Sequence, residues 1–440
     1  MPLVSIIMPS LNVVSYIEEC LQSAINQTLK DIEIICIDAG STDGTREVIT
    51  KYLLTDKRIR LIDSTVKSYG YQVNLGIHEA RGEYIGILET DDYVDCEMYE
   101  RLYEVAKKDY ADYVRADYDE LFEVKGKRIF NTRHIFNDIR NYNIETIAES
   151  MPEVFTKDFN IWSGIYRKKF LDKYNIRLNE TPGAAFQDIG FKLLTLSYAQ
   201  KIIYINYSGY RYRLEREGCS SCNNNVLKFA WQEFKRLIYE TNISKTCTFK
   251  YVIYRMIDVF ICEYNKLILK ESVEKQYDFE EKFIEPYYIW FKEEISGYLK
   301  KEIISYDLLN GYQLNNLIPL LDKKIEYDRN IIIENEIKEK NWNKISEMAG
   351  TSEVIVVSYG IRGKNALKQL MLKYINVIAV CDNDKNVRMQ KIGLPIMSVE
   401  DAAKVYKNAI YVIANKNCAE SLKNQLMSMG ISEKQIVLMM

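Results

Sequence analysis

Between Leu3 and Glu89 the chain alternates two kinds of segment, and this alternation limits its fold more than any other feature. The short apolar runs "LVSIIM", "IEIICID", "RIRLID" and "EYIGILE" have the length and composition of buried strands. Between them, Val13, Ile17, Cys20, Leu21 and Ala24 recur at helical spacing. "STDGTREVITKYL" opens with turn chemistry and continues as a helix, and "YQVNLGIHEA" is a further helix. Such an order predicts right-handed βαβ units and a parallel sheet covered on both faces. Ligands of such sheets bind beyond the carboxyl ends of the strands. Asp38 and Glu89 both fall at such ends.

The segment "GEYIGILETDDYVD", Gly82 to Asp95, buries a strand and then crowds Glu89, Asp91 and Asp92 at its end. Carboxylates this close repel and raise one another's pKa. A metal ion is the simplest missing positive charge. A solvated turn that caps the next helix, with Asp95 as N-cap, is the other reading. The convergence of Asp38 and these acids where a ligand is expected favours the first.

The bulk numbers exclude several classes. With 59 basic and 62 acidic residues in 440, the net charge is −3, which lacks the basic excess of a nucleic-acid binder. The start "MPLVSIIMPSLN" has no basic region followed by a long apolar run, so no signal peptide is expected. No stretch approaches the roughly 18 apolar residues of a membrane span. The nine cysteines are scattered, as in a chain with reduced thiols, and a cytoplasmic location follows. Cys219 and Cys222 in "CSSC" form one close pair without a second, a weak pattern for zinc or redox chemistry. With only His78 and His134, histidine-centred catalysis is disfavoured.

Further along, residues 121 to 225 are mixed, and "REGCSSCNNN" reads as a loop. Long helical patterns, such as "FKYVIYRMIDVFICEYNKLIL", dominate from about 226 to 345. A new α/β unit begins near Thr351 with the strands "EVIVV", "INVIAVCDND" and "AIYVIAN". Its first turn reads Ser358-x-Gly360-x-x-Gly363. That is a dinucleotide fingerprint without its first glycine, with Asp382 about where a ribose-binding acid falls. Nucleotide binding and a packing or acceptor-docking role both remain open for this unit. The expected organisation is 1–225, 226–347 and 348–440.

The first half resembles a family 2 glycosyltransferase with the GT-A fold. The residues that carry the likeness are "SIIMPSLNVVSYIEECLQSAINQTLKDIEIICIDAGSTDGT", "NLGIHEARGEYIGILETDDYV" and "NETPGAAFQDIGF". The variant "IWSGIYRKKF…NETPGAAFQD" resembles a bacterial subgroup linked to capsule, lipopolysaccharide and surface-glycan assembly. The last unit resembles the small Rossmann-like domains of polysaccharide-biosynthesis proteins. The fold class implied is α/β: a GT-A domain with a mixed, mainly parallel sheet, a helical middle region and a Rossmann-like C-terminal domain.

The resemblance also implies roles. Pro9, Ser10, Leu11 and Asn12 would hold the base of a nucleotide-sugar, with Leu11 where an aromatic often stands. Asp38 would accept from a pyrimidine, with Ala39 in place of a second aspartate, while Ser41, Thr42 and Asp43 shape the following turn. Asn74, in an Asn-x-Gly element with Gly76, would lie beside the donor, and Lys67 is a candidate phosphate contact against a plainly solvated lysine. Glu89-Thr90-Asp91 takes the place of the DxD motif, with Glu for the first Asp; Asp91 and Asp92 compete to ligate Mn²⁺ or Mg²⁺, and Asp91 is favoured. Asp188, preceded by Gln187, matches the catalytic base. Trp162 is a candidate acceptor platform against plain core, and Arg211, Arg213 and Arg216 are candidate diphosphate clamps against plain surface charges. The expected function is inverting transfer from a nucleotide-sugar, UDP-linked by expectation, to a glycan or lipid-linked glycan of the bacterial surface. A protein acceptor such as flagellin is the alternative. A nucleotide-sugar oxidoreductase or epimerase, and a non-catalytic glycan-binding scaffold, are the readings from other classes. Peripheral membrane contact and homo-oligomerisation stay open.

Overall fold

A computed structural model describes residues 1–124, 127–214, 226–274, 284–390 and 392–439. The alternating segments form β1 (Val4–Ser10), β2 (Ile32–Asp38), β3 (Ile59–Asp63) and β4 (Tyr84–Ile87). The helices α1 (Val14–Ile25), α2 (Thr45–Leu53) and α3 (Tyr69–Glu79) lie between them. The four strands are parallel in the order β3-β2-β1-β4, with Ser10 opposite Asp38 and Ile7 opposite both Ile35 and Ile87. β1 and β2 are buried along their whole lengths, which is why they read as unbroken apolar runs.

Beyond β4 the sheet turns antiparallel. It adds β5 (Tyr93–Val94), β6 (Tyr113–Val124), β7 (Lys127–Arg133), β8 (Glu145–Thr146), β9 (Gly164–Arg167) and β10 (Ile202–Arg213). The order continues β4-β9-β6-β10-β5, with β7 on β6 and β8 on β10. The helices α4 (Met98–Asp109), α5 (Val154–Lys157), α6 (Lys168–Lys173) and α7 (Gln187–Tyr198) follow these strands. The core under the sheet gathers Ile6, Met8, Ile34, Cys36, Tyr84, Leu88, Met98 and Leu102.

Two compact units divide the chain. One takes Met1–Asp119, Arg133–Tyr212 and Arg216–Ile331; the other takes Glu120–Thr132, Arg213–Glu215 and Ile332–Met440. The first also holds α8 (Val226–Glu240), α9 (Phe249–Glu274), α10 (Glu285–Lys300) and α11 (Gly311–Asp322), followed by α12 (Lys324–Ala349), which runs on past Ile331. α10 starts on a proline in its first turn, and α11 starts on a reciprocal Asn310–Gln313 capping box. Phe260 of α9 stacks on Phe291 of α10 at 3.8 Å.

The second unit has its own parallel sheet, β11 (Val354–Val357), β12 (Val377–Cys381), β13 (Ile396–Met397), β14 (Ile410–Ile413) and β15 (Ile436–Leu438), in the order β13-β12-β11-β14-β15. α13 (Ile361–Leu372) follows β11. Its core takes Phe122 and Ile129 from the β6–β7 hairpin alongside Val354, Leu367 and Val412. The Lys368–Glu120 ion pair at 3.5 Å and the Phe130 amide, which donates to the Ile392 carbonyl at 2.9 Å, fasten that hairpin.

Candidate functional site

The carboxyl ends of β1 and β2 form a tightly bonded rim. The Asp38 carboxylate is buried and accepts the amides of Gly40 (3.2 Å) and Ser41 (3.1 Å) and the Ser41 hydroxyl (2.6 Å), with the Arg46 guanidinium at 3.4 Å. Asn12, at a φ of 53°, accepts from the Thr42 amide at 2.9 Å and gives its own amide to the Ser41 hydroxyl. Asp43 accepts from the Val14 amide and from Thr45. Although desolvation opposes it, these bonds hold its carboxyl below the usual range. Ser41, Thr42 and Asp43 thus shape the turn. The Gln72 amide donates to the carbonyls of Ser10 (2.9 Å) and Ile37 (2.7 Å) and locks the strand ends together. Leu11 stands at the rim, 37% exposed.

The acids after β4 are drawn against this rim. The Thr90 hydroxyl donates to the Pro9 carbonyl at 2.7 Å. Tyr69 donates its phenol to the Glu89 carboxylate. Tyr210 donates to the Asp92 carboxylate at 2.8 Å and accepts the Glu89 amide at 3.2 Å. Asp92 is 1% exposed and turned inward, whereas Asp91 and Glu89 are half-buried. Asp95 accepts from the Glu97 amide and from Tyr207. The N-cap position of α4, which begins at Met98, is held by Glu97 rather than Asp95, and the Glu97 side chain makes no capping bond.

Asp188 lies in the first turn of α7, behind a loop stitched to α3. Asn74 exchanges bonds with the Leu178 backbone in both directions at 2.9 Å and donates to Glu180. The Tyr69 amide donates to the Gly183 carbonyl, and the Gly183 amide donates to the Lys67 carbonyl. Gly70 lies so close to the Asn179 carbonyl that no side chain fits there. Buried Gln187 donates to the Thr181 carbonyl (2.6 Å) and hydroxyl (2.9 Å), and Phe186 enters the helix at a φ of 61°, rare for an aromatic residue. Burial pushes the Asp188 carboxyl up to about 6. The Ile189 amide opposes the shift, Glu233 adds to it, and Arg255 also opposes it.

Several expected residues sit elsewhere. Trp162 is 8% exposed, stacked on Tyr210 at 4.1 Å and Tyr212 at 5.1 Å and met edge-on by Tyr118. It is core, and the expected acceptor platform is corrected: its ring supports the tyrosine that holds Asp92. Arg211 pairs with Asp119 at 2.9 Å, and Arg213, in the second unit, pairs with Glu123 at 2.8 Å. Both are engaged with protein carboxylates rather than presented as clamps. The Lys67 side chain is exposed. Arg216, Cys219 and Cys222 lie outside the described residues.

Sequence reasoning missed Tyr69. Its phenol is bonded to Glu89 and, after burial and Glu89, Asp188 is the next charge raising its pKa well above the usual value. One tyrosine thus lies within the field of both the β4 acids and Asp188. The only signal was an aromatic just upstream of Asn74, which helical periodicity explains equally well. Behind α7, Lys192 (one turn past Asp188) is buried with Asp158 at 3.1 Å, beside the Asp158–Arg115 pair, Tyr113 and Tyr166. Burial pushes the Lys192 ammonium down to about 7, although Asp158 pulls it up.

A model of the glycosyl transferase family 2 domain matches residues 5–174. The glycosyltransferase EpsJ of Bacillus subtilis, which bears the label uncharacterized, is 31% identical over 245 residues, 55% of this chain and 69% of EpsJ. Glycosyltransferase GlyG of Streptococcus pneumoniae serotype 4 is 29% identical over 219 residues, 48% of this chain and 70% of GlyG. Among solved structures, Staphylococcus aureus TarS 1–349 aligns with a TM-score of 0.51 at 17% identity, covering 76% of this chain and 89% of that one. The fold is therefore of the GT-A class, a mixed, mainly parallel sheet with helices, joined here to a second small parallel sheet. The chain belongs to glycosyl transferase family 2 and is a glycosyltransferase. Among the described residues, no helix is long and apolar enough to cross a membrane, and no group of three or more His, Cys, Asp or Glu is arranged to hold a metal on its own.

Proposed function

We propose that this enzyme transfers a sugar with inversion from a UDP-linked donor to a hydroxyl of a bacterial surface glycan. The observation that carries the reading is that Tyr69 ties two carboxylate centres: its phenol bonds Glu89, beside Asp91 and Asp92 after β4, and its amide bonds the Gly183 carbonyl in the loop that leads to Asp188 at the start of α7. The first suits the donor. A nucleoside diphosphate gains charge as the sugar departs, and hard carboxylate oxygens suit Mn²⁺ or Mg²⁺. Asp91 is the favoured ligand because Asp92 is turned into the protein towards Tyr210. The metal, when bound, would neutralise the charge that develops on the diphosphate, with Asp91 as the residue that would hold it.

Asp188 suits the acceptor. The acceptor oxygen forms its bond to the anomeric carbon as the bond to the diphosphate breaks. The hydroxyl proton passes to the Asp188 carboxylate, and the electron pair leaves with the nucleotide. A carboxyl raised to about 6 is a stronger base than an ordinary aspartate and is still ionised near neutrality. Pro9 to Asn12 and Asp38 would face the base of the donor, and the bonds around Asp38 preorganise that rim. The surface-glycan acceptor is supported by the likeness around "NETPGAAFQD". The test is a panel of nucleotide-sugars incubated with Mn²⁺, with nucleoside diphosphate release as readout. Release from a UDP-sugar supports the reading; a folded enzyme that binds no UDP and releases none overturns it.

A further inference from the structure

The helical region contributes one side chain to the neighbourhood of Asp188 that no motif or spacing singled out. Arg255 lies in the second turn of α9, half-buried. Its guanidinium carbon is 5.8 Å from the centre of the Phe159 ring. Among the described residues no carboxylate lies within ion-pairing distance of it, while other buried arginines here, such as Arg115 and Arg213, are paired. An arginine carries five N–H donors and keeps its charge, so a half-buried one without a paired anion is poised to receive one. Phe159 is 43% exposed although its neighbours Asp158 and Asn160 are buried, so its ring presents an apolar face to solvent. α9 is held beside this segment by the Phe155–Tyr251 stack at 5.4 Å.

The same arginine belongs to the Asp188 side of the site. Burial lowers its pKa, and the charges acting on it most strongly are Asp258, on its own helix, and Asp188. Glu233, the other acid near Asp188, is paired with Arg236 at 2.5 Å. The donor-side acids Glu89, Asp91 and Asp92 instead exert their field on Cys20, Tyr210 and Tyr212. Phe159 directly follows Asp158, whose carboxylate pairs at 3.1 Å with Lys192, one turn past Asp188 on α7, so an anion at Arg255 would lie with the acceptor rather than with the leaving diphosphate.

We infer that Arg255 and Phe159 form an acceptor subsite beside Asp188 that takes an anionic glycan, one bearing phosphodiester or carboxylate groups. The ring packs on the apolar face of a sugar unit, and the guanidinium binds the charged group beside it. The inference rests on the transferase reading and names its acceptor class.

Binding to the full chain tests it without turnover. The probes are a poly(glycerol phosphate) fragment, an oligogalacturonate and a neutral cello-oligosaccharide, titrated by calorimetry at low and high salt. The wild type should bind one of the anionic probes about tenfold tighter than the neutral one, with an affinity that falls as salt rises; which probe binds separates phosphodiester from carboxylate. Arg255→Gln should erase the preference, Arg255→Lys should keep part of it with an unchanged Tm, and Phe159→Ala should weaken all probes that bind. Equal wild-type affinity for charged and neutral probes, binding of neither anionic probe, or an Arg255→Gln enzyme that keeps the preference or loses UDP instead would each overturn it. UDP is titrated on the same wild-type sample, so a failure of the transferase reading shows there and separately from the anion result.

Discussion

β2 and β12 end alike. Each lies beside the first strand of its own parallel sheet, and each leads to an aspartate that accepts backbone amides: Asp38 from Gly40 and Ser41, Asp382 from Tyr359 (2.7 Å) and Asp384 (2.8 Å). The difference lies on the other side of the first strand. After β4 the chain carries Glu89, Asp91 and Asp92 in three of four positions; after β14 it carries Asn415, whose amide group donates to the Ser358 hydroxyl and accepts from Asn417 and Cys418. At the turn of the second sheet, Gly363 is pressed against the Ser358 carbonyl, leaving no space for a side chain. Matching topology thus ends in different chemistry: carboxylates after β4, a side-chain amide after β14.

This contrast can be broken first at Asp188. Asp188→Asn keeps size and most hydrogen bonds but cannot take a proton, so turnover should fall about 10²–10⁴-fold with UDP affinity unchanged in calorimetry. In the wild type the rate should decline as pH falls through about 6, where the carboxyl protonates. The sign for stability is opposite. A raised carboxyl pKa means the folded state binds the extra proton between the ordinary value and about 6, so this group's contribution is lost as pH rises through that window. In urea unfolding the wild type should lose more stability, or gain less, between pH 4.5 and 7 than Asp188→Asn, which keeps the contributions of the other titrating groups.

Asp158→Ala tests the buried support behind α7. It leaves Arg115 and Lys192 without their shared anion, and a loss of about 3–5 kcal/mol is expected by denaturant titration. Asp91→Asn comes next: UDP affinity measured with Mn²⁺ should drop about tenfold, towards the value measured in EDTA. Equal wild-type affinity in EDTA and Mn²⁺ would remove the metal from the mechanism. Tyr69→Phe deletes the phenol that holds Glu89, and kcat/KM should fall about three- to tenfold with the fold intact. The smallest effect is expected at the counterpart in the second sheet. Asp382→Ala should cost about 1–2 kcal/mol of stability, since the Tyr359 and Asp384 amides lose their acceptor, and leave sugar transfer unchanged. A marked loss of transfer there would mean that the second sheet serves the reaction, and the contrast would fail.

Much of the frame was legible before any coordinates. Strand length, apolar continuity and helical spacing are local properties, and they located β1 to β4, α9 and three of the five strands of the second sheet, β11, β12 and β14, but not the short edge strands β13 and β15. They also put Asp38 and Glu89 at strand ends, since a parallel sheet brings every carboxyl end to one edge. The identities of Asp91 and Asp188 came from motif likeness, again a property of short stretches. Pairing across long separations was not legible. Tyr69 meets Glu89 twenty positions away, Tyr210 meets Asp92 at 118, and Glu120–Thr132 joins a unit made mainly of Ile332–Met440. Trp162 and Phe159 show the consequence. Both are aromatic and three positions apart, yet Trp162 is stacked in the core and Phe159 faces solvent beside Arg255. A residue's type sets what it can bind. Which face of the chain is buried there, and which distant group lies opposite, is fixed only when the sheet and helices pack together.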